Sequence, residues 1–182
     1  MRRPGKSVYS KGYRGFESPS LRSIMKINLD QLFTFIQKAG RSTYATSGVD
    51  STSYDEGGFK ILSYKEGDYE YVDTYTGFFR SRGQEVVRYK GQPVWIASYG
   101  GGMVEENADL AIETFAFLKK AFLTDEPQFQ TFRGPQNLKE GDWEYSYKQE
   151  GDIEEFTGYE EILHKGKLVF FHRMIGGVVK PK

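Results

Sequence analysis

Lys65-Glu66-Gly67-Asp68-Tyr69-Glu70-Tyr71 returns further along the chain as Lys139-Glu140-Gly141-Asp142-Trp143-Glu144-Tyr145, an offset of 74. After one inserted residue the offset becomes 75 and holds through Gly83/Gly158, Glu85/Glu160, Lys90-Gly91/Lys165-Gly166, Val94/Val169, Gly101-Gly102/Gly176-Gly177 and Val104/Val179. Matches kept in order over such a distance mark an internal repeat. Upstream, Phe33-Thr34-Phe35-Ile36-Gln37-Lys38-Ala39 resembles Phe115-Ala116-Phe117-Leu118-Lys119-Lys120-Ala121 at an offset of 82, which brings one helix into each unit.

In the first unit Asn28 is placed to cap a helix, with Gln31 three residues on, Leu29, Leu32, Phe33 and Ile36 on one face, and Gly40 able to end it in a left-handed conformation. In the second, Asn107 or Asp109 can cap a helix carrying Ala111, Phe115, Leu118 and Phe122 at the same spacing, and Pro127 with the Thr131 to Pro135 stretch reads as a connector. Lys-Glu-Gly-Asp reads as a turn feeding a strand, on which Tyr69, Tyr71, Asp73 and Tyr75 share one face and Glu70, Val72 and Thr74 the other. Strands of residues 84–89 and 93–99 follow, joined at Lys90-Gly91, and the second unit repeats them as 159–164 and 168–174 around Lys165-Gly166. The expected fold is α+β: a tandem duplication of an αβββ unit, with antiparallel sheet or sheets packed by two helices in pseudo-twofold symmetry. A unit of about 75 residues with a single helix makes a marginal core, so residues 25–182 are expected to form one domain, repeat one being 25–104 and repeat two 105–182.

The 182 residues are 38% hydrophobic and 27% charged, a balance that suits a globular protein, and the aromatic share of 16% is high. Absence of cysteine excludes a disulfide framework, a thiolate metal site and a cysteine nucleophile, and favours a reducing, cytoplasmic setting. The longest apolar runs are far too short to span a bilayer. Formal charge is zero, yet residues 1–24 hold six basic side chains (Arg2, Arg3, Lys6, Lys11, Arg14, Arg22) against Glu17; taking these from 25 basic and 25 acidic leaves 19 and 24, a net −5. A body of that sign lacks the electrostatic footprint of a nucleic-acid binder. The leader itself could be a transit peptide or a basic arm, but Gly15-Phe16-Glu17-Ser18 is also what the T-arm of a transfer-RNA gene yields when read as codons. Residues 1–24 are therefore expected to be disordered and foreign to the fold, with translation beginning at Met25.

Several residues could carry chemistry. Glu85 and Glu160 occupy the same strand position in the two units, on the faces of Val87 and Ile162. If buried they need donors or raised pKa values, and a pair brought together could act as acid and base; the alternative is two carboxylates anchoring turns or lying on an edge. Asp73 between Tyr71 and Tyr75, with Trp95 and Tyr99 from a neighbouring strand, would make an aromatic concavity holding one acid, suited to a flat, sugar-like or cationic ligand; core packing is the competing reading. Arg133 sits in a stiff connector where it could meet a carboxylate ligand or form a surface salt bridge. His164 and His172 stand too far apart along a hairpin to share a metal, and no metal or cofactor is expected. Gly100-Gly101-Gly102 lacks the Lys-Ser/Thr of a phosphate loop and is followed by Glu105 and Glu106, while Gly176-Gly177 suggests a bulge or chain turn. The long polar run from Arg41 to Gly58 reads as a lid or as disorder.

At Tyr71-Val72-Asp73-Thr74-Tyr75, Gly83-Gln84-Glu85, Lys90-Gly91-Gln92-Pro93-Val94-Trp95 and Tyr99-Gly100-Gly101 the chain resembles a prokaryotic family of domains of unknown function, over essentially Met25 to Lys180. Members of that family stand alone or are appended to a helix-turn-helix of the xenobiotic-response-element type, which by analogy implies a sensor and no established activity. The chain has no room for such a helix-turn-helix before Asn28. Taken together, the expected function is a binding module for a small ligand or a protein partner at Tyr71, Asp73, Tyr75, Glu85, Trp95, Tyr99, Arg133 and Glu160. Its rivals are a metal-independent enzyme with Glu85 or Glu160 as general base, and a structural protein that dimerises through a sheet edge.

Overall fold

Alternating burial runs through most of the chain, and strands account for it. The computed structural model of the protein describes residues 27–45, 53–126 and 130–180. Helix α1 (Leu29–Gly40) comes first, followed by β1 (Ser53–Tyr54), β2 (Lys60–Glu66), β3 (Tyr69–Thr76), β4 (Arg80–Tyr89) and β5 (Gln92–Met103). Helix α2 (Ala111–Leu123) leads into β6 (Asn137–Glu140), β7 (Trp143–Gly151), β8 (Glu155–His164) and β9 (Lys167–Val178). Among the described residues the nine strands lie in one sheet, ordered β1-β2-β3-β4-β5-β9-β8-β7-β6, and every neighbouring pair is antiparallel.

This corrects the expected helix-packed α+β duplication of αβββ units. The protein is mainly a sheet fold: one nine-stranded sheet dominates, and the helices are short, 12 and 13 residues. The expectation failed because all of Lys-Glu-Gly-Asp reads as a turn feeding a strand, with no strand ahead of it. In the structure its Lys-Glu half ends the strand before, β2 or β6, and Gly67-Asp68 and Gly141-Asp142 are the hairpin turns. The runs of strands therefore hold five and four members, the fifth being the two-residue β1, and the paired outer strands use backbone groups that two separate three-stranded sheets would leave free.

The two meanders meet at β5 and β9, where Trp95 pairs with Val178 and Met103 with Phe170. Glycine is needed here for room. A Cβ on Gly176 would fall 2.6 Å from the Ile96 carbonyl oxygen and 2.8 Å from Ala97 Cα, both backbone atoms that cannot swing aside. The Gly-Gly pairs thus lie inside long strands, in place of the expected bulge or chain turn.

Bulges shift the register between Val87 and Arg88 in β4/β5 and between Ile162 and Leu163 in β8/β9. They let consecutive residues, Val94-Trp95 and Val169-Phe170, all be buried. One face of the sheet carries the core; both helices cover it, with Phe35 stacked on Tyr69 and Phe117 against Trp143. Asn28 caps α1 as its side chain accepts the Gln31 N–H at 3.0 Å, but Gly40 does not end the helix, which runs on as a wider turn, Arg41–Ala45. Leu110 precedes α2 without a side-chain cap, after a 3₁₀ turn over Glu105–Leu110. The leader of residues 1–24, residues 46–52 of the expected lid, and Pro127 lie outside the described residues. Among the described residues no helix is long and apolar enough to cross a membrane.

Candidate functional site

Between the helices and the covered face of the sheet lies a cavity of about 520 Å³. Its sheet wall comes from alternate residues of β3 and β4, which place Tyr71, Asp73 and Tyr75 and, opposite them, Ser81 and Glu85 on one side. Phe115 and Phe122 of α2 and Phe170 of β9 supply apolar walls. Arg133 enters from the connector, which is pinned at three points. Thr131 Oγ1 accepts the Arg133 N–H at 3.0 Å, Gln37 Nε2 donates to the Thr131 carbonyl at 3.2 Å, and the Gly134 N–H donates to Tyr145 Oη at 3.1 Å.

The guanidinium of Arg133 is buried, not at the surface. Nε and Nη2 donate to the two oxygens of Glu160 at 3.3 and 3.0 Å, Nη1 stands 3.6 Å from Glu85 Oε1, and Cζ lies 4.2 Å from the centre of the Phe122 ring. Glu85 and Glu160 thus face one cation from two sides. Tyr145 donates a further bond to Glu160 at 2.8 Å. Burial alone would push the Glu160 carboxyl up, but Arg133, and after it His172, outweigh burial and hold it down at about 2.

Asp73 and Glu85 are direct cross-strand partners, only 5% and 6% exposed. Burial, against the pull of the Tyr99 hydroxyl and Arg133, pushes Asp73 up to about 6. Burial and the neighbouring Asp73 push Glu85 up to about 8. Tyr99 donates to Asp73 Oδ1 at 2.9 Å. At neutral pH the pair therefore holds close to one proton between two carboxyl groups.

These shifts have a sign that can be measured. A carboxyl whose folded pKa is raised contributes stability that is full below its unfolded value and is lost as pH rises through its folded value. The window runs from the ordinary 3.8 and 4.5 up to about 6 for Asp73 and about 8 for Glu85. The urea midpoint is expected to fall as pH rises across that window and to fall much less in Glu85→Gln. A wild-type midpoint that is level over the window would show that the pair is not buried together.

Of the residues singled out from sequence, Tyr71, Asp73, Tyr75, Glu85, Tyr99 and Arg133 line the cavity. Glu160 lies behind Arg133, fully buried. Trp95 does not reach the cavity; it is fully buried, parallel to Phe156 at 5.9 Å and against Phe132 at 5.4 Å. His164 stacks on Trp143 at 4.3 Å, away from the site. Ser81 is absent from the residues singled out, and His172 is weighed there only as a metal ligand beside His164. His172 Nε2 lies 3.1 Å from Ser81 Oγ and Nδ1 lies 3.5 Å from Glu160 Oε2. The bulge hides this: a plain two-residue turn at Lys165-Gly166 would pair Glu160 with Phe171, whereas the one-residue shift pairs it with His172.

A family model described as a domain of unknown function matches residues 73–179, which include Asp73, Ser81, Glu85, Arg133, Glu160 and His172. No curated protein matches the chain, and no solved structure does.

Proposed function

The chain belongs to that family, DUF5680, whose description assigns no activity, and on this premise we propose that the domain binds a small organic molecule in the cavity beneath its helices. The observation that supports the reading best is the pairing of an aromatic wall with the half-protonated Asp73/Glu85 pair in a space of about 520 Å³, within the size range of small-molecule sites. Such a pair can accept from one group of a ligand and donate to another, and Tyr71, Tyr75 and Tyr99 give a flat body faces to stack on. A ligand with amine or hydroxyl groups at one end and a flat apolar body fits both features.

A thermal-shift screen of the full chain against a metabolite library, with Asp73→Asn and Glu85→Gln beside it, tests the reading. A ligand at 100 times its dissociation constant stabilises the fold by about 2.7 kcal/mol. The expected result is a hit weakened in both variants. No shift with any compound, or a hit indifferent to both substitutions, would remove the cavity from consideration.

A second reading, acid–base catalysis, is favoured at one of its two candidate residues. Glu85, pushed up to about 8, is poised to exchange a proton near neutrality. Glu160, tied at both oxygens to Arg133, does not suit that role.

A further inference from the structure

We propose that Ser81, His172 and Glu160 act as nucleophile, general base and orienting carboxylate in the hydrolysis of an ester of an apolar acid held in the cavity. The three residues lie in one line across the sheet. Ser81 pairs with Gly101, Gly101 with His172, and His172 with Glu160, so the line crosses β4, β5, β9 and β8. Two strands apart, the Cα atoms of Ser81 and His172 are separated by about 9–10 Å. Their side chains can meet only because the residue between them has none: a Cβ on Gly101 would lie 2.8 Å from His172 Cδ2.

Each ring nitrogen faces the partner its role requires. Nε2 is 3.1 Å from Ser81 Oγ, within hydrogen-bonding reach of the hydroxyl. Nδ1 is buried, makes no hydrogen bond, and points at Glu160 Oε2 from 3.5 Å, a gap of the kind that closes when substrate binds. The carboxylate that faces it is fixed from two other sides by Arg133 and Tyr145. Burial pushes the imidazole below its ordinary value, against the pull of Glu160, so at neutral pH it is the free base. Ser81 and His172 both line the cavity, beside Phe78, Phe115 and Phe170. Those rings would hold an aryl or alkyl acyl group next to the hydroxyl.

In the first step Ser81 Oγ attacks the ester carbonyl carbon while His172 Nε2 takes the hydroxyl proton. That proton passes to the leaving oxygen as the C–O bond breaks, giving an acyl-serine and a free alcohol. Water then attacks the acyl-serine, His172 takes its proton and returns it to Ser81 Oγ, and a carboxylic acid leaves. No electrons are exchanged with an outside reagent.

The test is to treat the full wild-type chain with a fluorophosphonate and locate the adduct by peptide mass spectrometry, and to follow hydrolysis of p-nitrophenyl butyrate. The expected result is one phosphonyl group on Ser81, with ester hydrolysis reduced about a thousandfold or more in Ser81→Ala and in His172→Gln. An unlabelled wild-type chain, a label on another residue, or undiminished hydrolysis by Ser81→Ala would each overturn the proposal. Labelling is read on the wild type, so a variant that fails to fold cannot mask the answer. The inference goes beyond the binding reading: ligand hits without labelling keep that reading and sink this one.

Discussion

Arg133→Met is expected to destabilise the protein by about 3–5 kcal/mol, the range found when one partner of a buried ion pair is removed. Glu160 is fully buried, and it would lose two of its donors and the permanently charged group beside it. The remaining Tyr145 hydroxyl and the His172 ring cannot replace a guanidinium that binds both carboxylate oxygens. Methionine keeps most of the side-chain volume against Phe122, which isolates the electrostatic loss from a packing loss. Adding Glu160→Gln to Arg133→Met should restore at least half of the stability, because the orphaned charge goes with the cation. Urea unfolding at pH 7 reads both. A single-variant loss below about 1 kcal/mol would mean that the pair is far better solvated than its geometry implies. The pH response should also reverse. In the wild type, Glu160's contribution is present above its ordinary value of 4.5 and is lost as pH falls towards about 2; without Arg133, acid should stabilise the variant instead.

Trp95→Ala is expected to destabilise the protein by a similar amount, about 3–5 kcal/mol, for a different reason. The indole is fully buried at the seam of the two meanders, parallel to Phe156 at an interplanar angle of 7° and in contact with Phe132. Phe132 neighbours Arg133 in the connector, so a void at Trp95 would undermine the residue that carries the cation. Trp95→Phe should recover much of the stability, since its Nε1 makes no hydrogen bond that phenylalanine would forfeit. Equilibrium unfolding in urea decides. If Trp95→Ala unfolds at the wild-type midpoint while losing a screening ligand, the indole belongs to the cavity and not to the core.

The self-similarity of the chain, the hairpins at Lys90-Gly91 and Lys165-Gly166 and the cap at Asn28 could all be read from residue spacing, because turns and caps depend on local chemistry. What escaped depended on relations between distant segments. Lys60–Glu66 alternates only weakly in hydrophobicity and carries no strand in the sequence reading; its identity as a strand comes from the partner β3 that it pairs with. The carboxyl groups of the site were visible as a repeated glutamate and a lone aspartate among tyrosines. Nothing in the residue types near Arg133 said that a connector would fold inward and place its charge between Glu85 and Glu160. His172 was assessed against His164 because both are histidines, yet a bulge set its neighbour as Glu160, and a one-residue register shift leaves no clear mark in composition.

The seam between β5 and β9 pairs residues from 67 (Met103 with Phe170) to 83 (Trp95 with Val178) apart in the chain, whereas every other ladder in the sheet closes a short hairpin. Loop-closure entropy therefore weighs on this one ladder far more than on the rest. Ser81, Asp73, Glu85 and Tyr99 come from one side of it; Arg133, Glu160 and His172 from the other. A partly folded chain with both meanders zipped and the seam open would have every strand pairing but one, and would have no site at all: its cation, its imidazole and one of its three carboxyl groups would belong to a different body from the other two carboxyl groups and the serine. Competence at the cavity is thus an all-or-none property of the complete tertiary structure, and it cannot be inherited from either meander alone.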